Sequence, residues 1–194
     1  MSGEPERPQG DAAAPSPWTR RRSEQLADCR VFRVRRDLSA DPRDGREHDF
    51  YVLEAPDWIN VIPLTEAGEV VLVEQYRHGT GAVSLEIPGG MVDPGEAPEQ
   101  TAARELLEET GYGGGELAFL GRTRPNPAIQ DNWLHSYVAR GVSFRHAPSN
   151  AGTEQTVVRF VPVGEVPRLI REGRIDHALV VAAFHLWSLC EKLS

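Results

Sequence analysis

The segment from Pro88 to Gly111 constrains this chain more than any other, because a loop of glycine and proline runs straight into a helix that crowds like charges on one face. The loop spans Pro88-Gly89-Gly90 to Pro94-Gly95. The helix follows from about Ala97 to Thr110: Pro98 suits a first-turn position, acidic residues favour the amino end, and Gly111 supplies a left-handed stop. Each helical residue advances about 100°, so with Glu105 at zero, Glu109 lies at about 40° and Glu108 at about 300°. Three carboxylates share one arc, and Ala103, Leu106, Leu107 and Thr110 fall on the opposite one, the expected buried face. Like charges four apart cost a helix roughly a few tenths of a kcal/mol, and within the helix only Arg104 compensates. A solvated acidic face is one reading. The other is a divalent-cation site, for which the loop offers backbone carbonyls and Glu96 a further carboxylate. Such a cation takes about six oxygens, and Mg²⁺ completes its shell with water and substrate phosphate.

The rest of the pattern sets this helix among strands. Val31, Phe32 and Val34, then Phe50 to Leu53, read as two strands joined by the turn-rich segment Leu38–Arg46. Trp58–Leu64 and Val70–Tyr76 read as a hairpin turning at Glu66-Ala67-Gly68, followed by a short strand at Ser84–Pro88. Beyond the helix come strands at Leu117–Leu120, Trp133–Val138 and Val157–Val163. A short helix at Val166–Arg171 and a final one from about His177 to Lys192, capped by Asp176, close the chain. Helices placed between antiparallel strands argue for a mixed α/β or α+β sandwich and against a doubly wound nucleotide fold. The glycine fingerprints GxGxxG and GxxxxGK[ST] are both missing from the sequence.

Composition narrows the function. Lys+Arg 21 against Asp+Glu 29 gives a net charge of −8, unlike a duplex-wrapping basic domain, so no nucleic-acid partner is expected. Cys29 and Cys190 sit at opposite ends, which excludes a disulfide framework and fits a reducing, cytoplasmic setting. The longest apolar run, Ala178–Phe184, is far short of a membrane span. Six histidines show no paired zinc spacing. Met1–Pro17 has almost no large apolar group, and a disordered tail is expected over residues 1–25, with a single domain over 26–194.

At full span, Gly90-x5-Glu96-x7-Arg104-Glu105-Leu106-x-Glu108-Glu109-x-Gly111-Tyr112 resembles the Nudix box, G-x5-E-x7-R-E-U-x-E-E-x-G-U with U a bulky aliphatic. Eight of the nine defined positions agree over 23 residues, and only Tyr112 departs, an aromatic in an aliphatic slot. The resemblance implies a Nudix-type α/β/α sandwich around a mixed sheet, with extra N-terminal strands. It implies metal-dependent hydrolysis of a nucleoside diphosphate linked to another group, with Mg²⁺ or Mn²⁺ as cofactor. Carried over by position, Gly89, Glu105, Glu108 and Glu109 are expected at the metal, Glu108 also in catalysis. Arg104 is expected to hold the carboxylates by ion pairing. Gly90 and Gly111 are conformational, and Glu96 belongs to the outer shell.

Outside the box, Ser84-Leu85-Glu86-Ile87-Pro88-Gly89-Gly90 and Glu74-Gln75-Tyr76-Arg77 resemble the ADP-ribose and nucleotide-sugar branch of that family. Pro127 lies sixteen residues after Gly111, where the branch's ADP-ribose hydrolases carry a marker proline. The resemblance thus implies Arg77, Glu86 and Pro127 as substrate-binding residues. It places the catalytic base in the loop Arg145–Gln155, at Glu154, with Glu165 as the other candidate. It also implies a homodimer through the N-terminal strands, with Trp18, Tyr51 or Trp58 stacking on the base. The expected reaction cleaves the pyrophosphate bond of ADP-ribose or a related nucleoside diphosphate sugar, giving a nucleoside monophosphate and a sugar phosphate. The competing readings are a Nudix hydrolase of a dinucleoside polyphosphate or a modified nucleoside triphosphate, and a non-catalytic nucleotide sensor.

Overall fold

The computed structural model describes residues 14–150 and 155–193. Three strands lead: β1 (Thr19–Asp28), β2 (Arg33–Ala40) and β3 (Glu47–Glu54) form an antiparallel sheet of their own, in that order. The main sheet follows, with β4 (Trp58–Leu64), β5 (Glu69–Arg77), β6 (Ala82–Glu86) and β7 (Gly89–Met91), then helix α1 (Pro98–Thr110). After it come β8 (Tyr112–Gly113), β9 (Glu116–Thr123), β10 (Leu134–Arg140), β11 (Ser143–Phe144) and β12 (Thr156–Pro162). Helices α2 (Val166–Arg171) and α3 (Ala178–Leu193) complete the order. The main sheet runs β12-β5-β4-β10-β9, with β6 on β5 and β7 on β4, and β8 pairs with β11 apart from it. Only β10 against β4 is parallel, so the sheet is mixed.

Strand periodicity builds the two faces. Alternate residues of β4, β5 and β10 point to opposite sides. Ile59, Val61, Val71, Tyr137 and Ala139 meet Ala102 and Leu106 of α1. Ile62, Val70, Leu72 and Val138 meet Val166 and Leu169 of α2 and Val180, Ala183 and Phe184 of α3. Central strands covered on both faces read as near-continuous apolar runs, as Val70–Val73 does. The result is the expected α/β/α sandwich with extra N-terminal strands.

Three expectations change. Residues 19–25 of the expected tail lie in β1, a strand exposed along its whole length. It needs no buried face, because backbone pairing with β2 and contacts such as Ser23 Oγ to Asp37 (2.7 Å) hold it. Val31 and Phe32 belong to the turn before β2, not to a strand. The β4–β5 hairpin is paired only at Leu64 and Val70 and then splits. Beyond that point β4 takes β7 and β5 takes β6 as partner, with the Pro88 carbonyl accepting from the Val61 N–H (2.9 Å) inside the split. That split positions the site.

Candidate active site

The glycine loop and α1 are fitted to each other by side-chain absence. A Cβ on Gly90 would collide with the Glu105 carboxylate, so only glycine lets that side chain lie against the loop. One turn on, Glu109 is 5% exposed and its Oε2 accepts the Gly89 N–H at 3.1 Å. The helix opens on Ala97, whose N–H donates to Gln100 Oε1 (3.1 Å), and closes at Gly111 with φ 72°, where the N–H donates to Leu107 O (2.8 Å). The buried face of α1 is Thr101, Ala102, Leu106, Glu109 and Thr110. The expected buried arc is thus rotated: Ala103 faces solvent and Glu109 turns inward, because the loop amide gives its carboxylate a partner.

Arg104 neutralises the crowded carboxylates. Its Nε and Nη2 donate to Glu96 at 3.1 and 3.0 Å, and its Nη1 donates to Glu105 (2.8 Å) and Glu108 (3.1 Å). Hydrogen bonding to Glu96 above all keeps the guanidinium charged. In turn Arg104, with the Thr101 hydroxyl (2.8 Å), holds the Glu96 carboxyl below the usual carboxylate range. Like charges three and four apart are thereby tolerated. Among the described residues no three His, Cys, Asp or Glu side chains gather tightly enough to hold a cation by themselves.

A cavity of about 770 Å³ opens at the β4–β5 split. Gly89, Arg104, Glu105 and Glu109 line it from the loop and α1, and Arg77, Glu86 and His177 from β5, β6 and the approach to α3. Glu86 is 2% exposed and both its oxygens are engaged: Arg77 donates from Nε to Oε1 (2.8 Å) and from Nη2 to Oε2 (2.7 Å). His177 Nδ1 lies 3.3 Å from Oε2, at ion-pair distance without the alignment of a hydrogen bond. Burial pushes the Glu86 carboxyl up, but Arg77 and His177 outweigh it and hold the group down at about 2.

Not every expected residue reaches the cavity. Glu108 lies outside the lining, its side chain more exposed than that of Glu105 and its carbonyl accepting the Ser149 N–H (2.8 Å). Pro127 sits in an exposed turn closed by Asn126, also outside the lining, and the neighbouring Gln130 bridges to Leu53 of β3. Glu154 lies outside the described residues. Of the candidate stacking residues Trp58 lines the cavity, whereas Trp18 and Tyr51 belong to the N-terminal sheet and its approach, Trp18 edge-on to Phe50. His177 and Asn60 are among the lining residues that sequence reasoning missed. Neither stands in a metal or catalytic spacing, and the sequence marked Asp176 and His177 only as the start of the final helix.

The model of the NUDIX domain family matches residues 54–184. A methanol dehydrogenase activator of Bacillus methanolicus is 31% identical over 173 residues, 89% of this chain and 93% of that protein. An ADP-ribose pyrophosphatase of Mycobacterium tuberculosis is 30% identical over 165 residues, 82% of this chain and 78% of that protein. A crystal structure of an ADP compounds hydrolase superposes with a TM-score of 0.81 at 22% identity, covering 93% of this chain and 97% of that one.

Proposed function

Because this chain belongs to the NUDIX domain family and is a hydrolase of that family, we propose that it cleaves the pyrophosphate bond of ADP-ribose or a related nucleoside diphosphate sugar, with Mg²⁺ or Mn²⁺ as cofactor. The observation that carries the reading is one cavity lined both by the box carboxylates Glu105 and Glu109 and by Arg77.

Gly89, Glu105 and Glu109 line one cavity. A hard divalent cation there would be held by the two carboxylates and the Gly89 carbonyl, with Glu108 as a further ligand and water and substrate phosphate completing its shell. When bound, such an ion neutralises the pyrophosphate and lowers the pKa of a coordinated water. Arg104 keeps Glu105 and Glu108 oriented when anionic substrate leaves. Arg77, braced by Glu86, binds phosphate, and Glu86 acts through Arg77, since its own carboxylate is covered. Glu154 is the base that takes the proton of the attacking water, and Pro127 shapes the substrate loop. The products are a nucleoside monophosphate and a sugar phosphate.

With β1 included, residues 19–194 form one catalytic domain that acts in the cytoplasm as a homodimer. Among the described residues no helix is long and apolar enough to cross a membrane. Exposed Phe50, Tyr51 and Trp18 on and beside the N-terminal sheet support pairing of two copies there. Incubation with Mg²⁺ and a panel of ADP-ribose, GDP-mannose, UDP-glucose, diadenosine polyphosphates and nucleoside triphosphates, followed by product separation, tests the substrate. AMP with ribose 5-phosphate from ADP-ribose, in excess over other products, is the expected result; preference for a triphosphate contradicts it.

A further inference from the structure

We propose that His177 contacts substrate, and that with Arg77 it forms a two-pronged clamp for a phosphate group of a nucleoside diphosphate, both prongs braced on Glu86. The identity of the anion rests on the hydrolase reading above.

Exposure separates the three groups. The Glu86 side chain is 2% exposed, whereas those of Arg77 and His177 are 43% and 40% exposed, and all three line the cavity. A carboxylate so covered cannot meet a ligand, but it fixes what covers it. It takes Arg77 by two parallel hydrogen bonds, the geometry that orients a guanidinium most firmly. It draws the Nδ1 edge of His177 inward, where that atom is buried, and so turns the Nε2 edge outward. A carboxylate facing Nδ1 favours a proton there, and the ring donates to an anion from Nε2 when both nitrogens carry protons.

The backbone that carries the imidazole is also held in place. The His177 carbonyl accepts the N–H groups of Val180 and Val181 at 3.0 and 3.1 Å, and buried Asn60 donates from Nδ2 to Leu179 O (3.0 Å), pinning the first turn of α3 to β4. That turn lines the same cavity, so the positive end of the helix dipole adds to the field. The need for such groups follows from charge. The chain carries −8, Glu105 and Glu109 face the same space, and Arg104 commits Nε, Nη1 and Nη2 to carboxylates. Arg77 and His177, both partly exposed in the lining, are the contacts assigned to an incoming pyrophosphate.

His177→Ala, His177→Gln and His177→Asn distinguish a contact from a brace. Glutamine sets its amide nitrogen near the place of Nε2, asparagine near that of Nδ1. Each protein is assayed with ADP-ribose and Mg²⁺ for KM and kcat, and titrated calorimetrically with ADP and Mg²⁺. The alanine variant is expected to raise KM and the ADP Kd roughly tenfold while kcat moves less than about twofold. Glutamine should recover most of the loss and asparagine little. Values near wild type for alanine, or recovery by asparagine and not glutamine, overturn the proposal and leave His177 a partner of Glu86 alone. If alanine does not fold, the glutamine–asparagine comparison decides. A wild type that binds ADP in a His177-dependent way but leaves ADP-ribose intact retires the hydrolase reading and keeps the clamp. A wild type that binds no ADP overturns the clamp.

Discussion

Glu86 is a buried carboxylate whose charge is stabilised by its partners, and this makes acid stability a readout of the site. A carboxyl whose folded pKa is depressed contributes stability above its unfolded value and loses it as pH falls through the folded value. For Glu86 that window runs from about 4.5 down to about 2. Glu86→Gln should therefore cost about 3 kcal/mol at neutral pH, with the gap to wild type closing towards pH 2 in urea melts; a gap independent of pH in that window would contradict the assignment. Glu154→Gln is expected to lower kcat by about 10²-fold or more with KM little changed, as loss of a general base does, and stopped assays over a range of substrate check it. At this scale the box was legible: helical spacing puts Glu105, Glu108 and Glu109 on one arc whatever surrounds them. Their separate fates were not, since the Gly89 amide and the Glu96–Arg104 pair arrive from the loop. His177 was illegible because its partner Glu86 stands in a different element, joined to it only by the fold.

Element by element, legibility tracked burial pattern. α1 was readable from Pro98 to Gly111 because both ends carry local stop and start chemistry. Gly111 has φ 72° and its absent Cβ leaves room for the His146 carbonyl, so Gly111→Ala should destabilise the protein by more than about 1 kcal/mol in thermal or denaturant melts. An unchanged midpoint would mean that the helix end rearranges freely. The β4–β5 turn was readable from Gly68, but the split beyond Leu64 was not, because it depends on Pro88 and its flanking strands entering between two apolar strands. β1 carries no apolar alternation and lies exposed throughout, so nothing in its composition distinguishes it from a tail.

For the molecule as a whole, two apolar clusters on opposite faces of one mixed sheet hold α1 on one side and α2 with α3 on the other. The cavity lies where loop, split strands and the start of α3 converge, so its lining draws on both layers. The N-terminal sheet falls mostly before the NUDIX match at residue 54 and presents exposed Phe50 and Tyr51. Sedimentation is expected to give a species of twice the 21.5 kDa chain mass, shifted towards monomer by Tyr51→Asp, whereas a lone 21.5 kDa species in the wild type would contradict assembly through this sheet. The most direct measurement is AMP release from ADP-ribose in Mg²⁺, with wild type and Glu109→Gln side by side. Hydrolysis by the wild type, reduced by about 10³-fold in a variant that still folds, is the predicted result. Near-equal rates would contradict the account, because the carboxylate at the centre of the site would then be dispensable.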